Sequence, residues 1–271
     1  MLYWLSGFSD TISGLNIFRY ITSRAGGAAI IAIVLVPLLA LMIGAALRVG
    51  QNGESRRAGF MILSALIPAT LLLANPWNPY VWIAAGVTLS FGLIGYLAAG
   101  GQSVANGGAK ITFCVVVSLA ACFALSHFDR SPAANPLGWL AVPAGTLVIV
   151  AAGNIVSLAD RVHGSAAVPV VIATLGFALI AYVAGNSFFA NYLDIRHVPG
   201  TGELAVLCGA AIGATLGFLW LNAPAGSTSL GNTASLALGG LLGTVAVATK
   251  HEVILALICC LFVFKPAPVE S

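Results

Sequence analysis

The chain is poor in charge. Eight acids and 11 Lys/Arg are spread over 271 residues, 59% of which are hydrophobic, and mean hydropathy is +1.02. That excludes a soluble domain, which could not hide so much apolar surface, and points to an integral membrane protein with many spans. The net charge of +3 comes from scattered basic residues, so there is no footprint for a nucleic-acid partner. The five cysteines (Cys114, Cys122, Cys208, Cys259, Cys260) lie inside apolar runs without metal-ligand spacing, and read as packing or lipid-facing residues. Gly100-Gly101 and Gly107-Gly108 lack the Gly-x-x-x-x-Gly-Lys-Ser/Thr spacing of a nucleotide loop. The first twenty residues lack a clean apolar core followed by a cleavage site, so no cleaved signal is expected. Paired charges within spans and a clear internal repeat are both missing, which weighs against a transporter.

What is abundant is glycine, at 31 residues, and small residues let membrane helices approach closely. Residues 1–26 mix Trp4, Phe18, Tyr20, Arg19 and Arg24, as expected of a segment lying at the interface. The apolar runs then predict an all-α bundle across 27–264, with a short tail at 265–271. About nine spans are expected, near 27–47, 58–75, 81–98, 111–126, 137–152, 166–184, 204–221, 233–248 and 253–264. Pro68 falls inside the second, and the two Asn-Pro steps of Asn75–Tyr80 predict a turn with aromatics at headgroup level. The polar connection 185–203 reads as an ordered excursion along the surface. Its Asp194, Arg196, His197 and Glu203 read as a surface turn or a partner contact.

At mid-sequence stands a polar island, Gly153-Asn154-Ile155-Val156-Ser157-Leu158-Ala159-Asp160-Arg161-Val162-His163-Gly164. A charge at the centre of a membrane helix costs roughly 2.5–3.5 kcal/mol on insertion scales, so such an island lies at a membrane surface or lines a site. Asp160 and Arg161 fit either a phosphate or metal site, or a helix end with Asp near an N-terminus and Arg reaching water. His163 could tune binding with pH or be merely solvated. Lys110 could hold a phosphate or anchor the flank of a span.

Several segments resemble one family, MraY, the bacterial phospho-N-acetylmuramoyl-pentapeptide transferases of the polyprenyl-phosphate N-acetylhexosamine-1-phosphate transferase superfamily. They include Asn16–Thr22, Asn78-Pro79-Tyr80-Val81-Trp82, Gly202-Glu203-Leu204, Gly217–Asn222 and Ser235-Leu236-Ala237-Leu238-Gly239-Gly240. The resemblance implies ten spans in the bacterial inner membrane, and an active site of cytoplasmic loops. It also implies Mg²⁺, a UDP-linked muramoyl pentapeptide and undecaprenyl phosphate. By that comparison the last span is lacking, the N-terminus is periplasmic and the C-terminus cytoplasmic.

Departures from the family pattern concentrate in its chemistry. The Asp-Asp pair implied at the end of the third span reads Ala98-Ala99, and the implied magnesium-binding Asp is Asn232. The island's Asn-x-x-Asn-x-x-Asp-Gly-x-Asp-Gly becomes Asn154, Ser157, Asp160, Arg161, His163 and Gly164. Ser229 matches the aromatic that would stack on uracil, and a Pro-Thr-Met-Gly-Gly run and a His-rich loop have no counterpart. What the resemblance leaves as a lipid- or phosphate-binding remnant is Lys110, Asn154, Asp160 and Asn222. Phosphoryl transfer relies on carboxylates and a hard cation to neutralise charge. The sequence therefore points to an inactive scaffold or accessory subunit, a partner of other membrane proteins or of a second copy. The alternatives are a binder of polyprenyl phosphate or a divergent Mg²⁺-dependent transferase.

Overall fold

The computed structural model describes residues 54–74, 78–99, 107–128, 140–163, 166–222 and 229–264. The expected interfacial segment 1–26, first span 27–47 and tail 265–271 lie outside them. Within the described residues nine helices follow one another: α1 (Glu54–Leu73), α2 (Pro79–Ala99), α3 (Gly107–Phe128), α4 (Ala141–His163), α5 (Ala167–Gly185), the short α6 (Ser187–Tyr192), α7 (Glu203–Asn222), α8 (Gly231–Thr249) and α9 (Glu252–Phe264). No strand occurs among the described residues, and six helices (α2, α3, α4, α5, α7 and α8) are long and apolar enough to cross a membrane. At 1.5 Å per residue the 13 residues of α9 reach only ~20 Å, short of a ~30 Å hydrocarbon core. The eight longer helices fall where the second to ninth spans were expected.

The bundle is built around α8. Every residue of α8 is buried except Asn232, which is half-buried. Its sequence explains why it can be surrounded: Gly, Ala, Ser and Thr dominate, so neighbours come in to backbone distance. Against α4 the approach is close at Gly239, where an added Cβ would stand 2.7 Å from both the Ala152 carbonyl oxygen and Gly153 Cα. Against α2, a Cβ on Gly95 would stand 2.6 Å from the Asn232 carbonyl oxygen. Helices α1 and α9 also pack on α8, and α5 and α7 pack on each other at the periphery. Buried hydroxyls of α8 are largely satisfied within the helix. Ser235 donates to the Gly231 carbonyl and Thr244 to that of Gly240, one turn back in each case.

At one end of the bundle the 185–203 connection is ordered, as the sequence predicts. Asn186 caps α6 by accepting from the Phe188 N–H at 3.0 Å, and the Val198 N–H donates to the Ala184 carbonyl. Asn78 ties this connection to α2, accepting from Tyr80 N–H at 3.0 Å and donating to the Gly200 carbonyl at 2.7 Å. At that same end α8 stops in a Schellman turn. His251 N–H bonds the Ala246 carbonyl, Lys250 N–H bonds that of Val247, and Lys250 sits in the left-handed region at φ 61°.

The central island departs from expectation. The fifth span was placed at 137–152 with the island after it, but α4 runs on unbroken to His163. The physical reason is that the island's polar groups are satisfied without leaving the helix. Asn154 donates back to the Val150 carbonyl at 2.8 Å, and Ser157 and Asp160 find partners on and just before α8. Nor does Asp160 lie near the N-terminus of its own helix; it sits in the last turn of α4.

Candidate functional site

The opposite end of the bundle gathers the C-terminal ends of α2 and α4 with the N-terminal ends of α3 and α8. Asp160 is 3% exposed. A carboxylate in the last turn of its own helix meets an unfavourable dipole, but it faces the start of α8, where the dipole is favourable. Its oxygens accept from Ser229 Oγ at 3.0 Å, Leu230 N–H at 3.0 Å and Gly231 N–H at 2.8 Å. Helix α8 has no side-chain cap of its own at Leu230, so Asp160 supplies one across the bundle. Gly231, at φ +70°, turns the chain so that two successive N–H groups converge on the same carboxylate.

The next residue of α8 is Asn232. Its side-chain oxygen accepts from Ser157 Oγ at 2.8 Å, Arg161 Nη2 at 2.8 Å and Lys110 Nζ at 3.4 Å. Its amide nitrogen donates to the Gly95 carbonyl oxygen at 3.3 Å. A single amide thus links α2, α3, α4 and α8. Two cations share one neutral acceptor, while the oxygens of the neighbouring carboxylate are held by α8.

Of the residues singled out from sequence, Lys110, Ser157 and Asn232 come together, with Asp160 beside them. Asn154 does not join: its amide is used within α4. Ala98 is half-buried in the last turn of α2, one turn beyond Gly95. The side chains of Ala99, His163 and Asn222 lie outside those described. Ser229, matched by resemblance to a base-stacking aromatic, bonds Asp160 instead. Sequence reasoning paired Arg161 with Asp160 as a phosphate or metal site, or let it reach water, and did not foresee its bond to Asn232. The available signal was a paired change, Arg161 at a position where the resembling family has glycine and Asn232 where it has aspartate.

The implied magnesium ion can be tested against this donor set. Mg²⁺ takes anionic and water oxygens in tight octahedral geometry. Here the candidate ligand is a neutral amide already facing a guanidinium and an ammonium, and the Asp160 oxygens carry three donors. The residues present do not fit the ion. Among the described residues, no three His, Cys, Asp or Glu side chains gather into a metal-sized group.

Comparison with known proteins gives two findings. The profile of Glycosyl transferase family 4 matches residues 134–250. Two phospho-N-acetylmuramoyl-pentapeptide-transferases of Rhodopseudomonas palustris are similar over 99% of this chain and 84% of their own length, at 45% identity in strain BisB18 and 44% in strain BisA53. Those alignments run to 305 and 304 positions, longer than the 271 residues available, so each relative has stretches inside the matched region with no counterpart here.

Proposed function

The chain belongs to the phospho-N-acetylmuramoyl-pentapeptide-transferase family, and we propose that it is a non-catalytic member, serving as a scaffold or accessory subunit in the bacterial inner membrane. The observation that carries this is the Asn232 cluster. Where the family is expected to hold a metal-binding carboxylate, a neutral amide accepts from Arg161 and Lys110. Charge neutralisation by preorganised groups supplies most of the rate in phosphoryl transfer, and the loss of such groups costs orders of magnitude. Ala98, Ala99 and His163, at positions where the resemblance implies carboxylates, point the same way. The orientation proposed places the Asn232 end of the bundle in the cytoplasm.

A second reading is favoured by the same two cations. Lys110 and Arg161, beside a carboxylate engaged by α8, suit a phosphate monoester, so the site could hold a polyprenyl phosphate without reacting it. Purification from native membranes in mild detergent, with mass spectrometry of proteins and lipids, tests the pair. The scaffold reading expects a stoichiometric membrane-protein partner or a stable second copy. Polyprenyl phosphate with neither would favour lipid binding, and an isolated, lipid-free monomer would contradict both.

A further inference from the structure

We infer that the guanidinium of Arg161, with the ammonium of Lys110 behind it, is a resident cation that organises the Asn232 cluster and excludes a divalent metal from it. Three observations converge. The Arg161 donor lies 2.8 Å from Asn232 Oδ1, the distance of a direct charge-assisted bond, and Lys110 reaches the same atom at 3.4 Å. Ser157, on the same helix as Arg161 and one turn before it, donates to that oxygen as well, so its acceptor capacity is taken by protein groups. The carboxylate beside the cluster, Asp160, has its oxygens committed to Ser229 and the first N–H groups of α8.

The chemistry is that of substitution by charge. A metal–carboxylate pair and a guanidinium–amide pair both place a positive centre against an oxygen at the start of α8. The second arrangement holds its cation covalently, on a side chain whose charge is permanent. It therefore stays assembled without any ion from solution. A metal brought to Asn232 Oδ1 would meet two like charges before it met an anionic ligand. Only the expected place of the metal rests on the family reading, and failure here is separable from failure of that reading. Substrate turnover tests the latter, whereas metal binding and stability test the resident cation.

The experiment uses the full chain in detergent, Mn²⁺ as a spin-visible probe for the divalent site, and thermal midpoints in millimolar Mg²⁺ or EDTA. Wild type is expected to show no bound Mn²⁺ signal and the same midpoint in both buffers. Asn232→Asp is expected to raise the midpoint while Arg161 is present, because pairing of the new carboxylate with two cations outweighs the long donor bond to the Gly95 carbonyl that it gives up. In an Arg161→Ala background, where only Lys110 still reaches that oxygen, the same substitution should lose most of that benefit, and Mg²⁺ should then raise the midpoint and Mn²⁺ bind. A crossing of this kind is not produced by simple loss of packing. Bound Mn²⁺ or a Mg²⁺-dependent midpoint in wild type would overturn the inference. So would an Asn232→Asp shift that is the same with and without Arg161. Should Arg161→Ala fail to fold, the wild-type measurements and Arg161→Lys, expected to bind no Mn²⁺, still decide the matter.

Discussion

At the scale of single residues, position in the cluster decides what each polar side chain does. Asp160 accepts from three donors at the buried start of α8, and bonds to a charged acceptor are each worth ~1.5–3 kcal/mol. Asp160→Ala should therefore destabilise by about 2–3 kcal/mol or more, read as a lower thermal midpoint, with Asp160→Asn losing less because one acceptor oxygen remains. Asn154→Ala is the contrast: its amide bonds only back to Val150, so its stability should stay within about 0.5 kcal/mol of wild type. Sequence could not separate these two, since both are polar residues of one island. What separates them is the partner helix each one faces, and that is set by packing rather than by local pattern. Lys110 was legible as a candidate phosphate holder from its place at the flank of a span, Asn232 only through resemblance, and their separation of 122 positions hides their contact from any short-range reading.

At the scale of elements, small residues and helix ends carry the architecture. Gly239 of α8 touches the backbone of α4, so Gly239→Leu must push the two helices apart, with an overpacking loss of ~1–3 kcal/mol. Gly209→Ala on α7 meets open space and should be neutral or gain up to ~1 kcal/mol from helix propensity. A midpoint series on the two variants checks the contrast, and equal effects would show that α4 and α8 are not in backbone contact. Lys250, left-handed at the α8 terminus, is the position where glycine relieves strain; Lys250→Gly should raise stability by roughly 1 kcal/mol. Helices of this kind were legible because hydrocarbon demands long apolar runs, and the expected second to ninth spans each meet a helix. The end of α4 was not legible, because a hydrogen bond donated by Ser157 to Asn232 and one accepted by Asp160 from Leu230 N–H let polar residues stay helical. Nor does hydropathy reveal which helix is central: α8 is the least hydropathic of the six spanning helices, yet the most buried.

At the scale of the whole molecule, the described chain is a multi-pass membrane protein with one polar cluster at one end and an ordered surface connection at the other. The proposed orientation puts the cluster end in the cytoplasm. In a background lacking Cys260, Tyr192→Cys, at a side chain 81% exposed, should react with a membrane-impermeant thiol reagent added to spheroplasts. Gly108→Cys, at the start of α3, should react only after permeabilisation, and the reverse pattern would invert the topology. The central claim, that the family fold is kept without the family reaction, is tested most directly by turnover. Purified protein would be mixed with UDP-linked muramoyl pentapeptide, undecaprenyl phosphate and Mg²⁺, and UMP release followed beside an active relative. No release above the protein-free blank is the predicted result; Mg²⁺-dependent UMP release that scales with protein would contradict it.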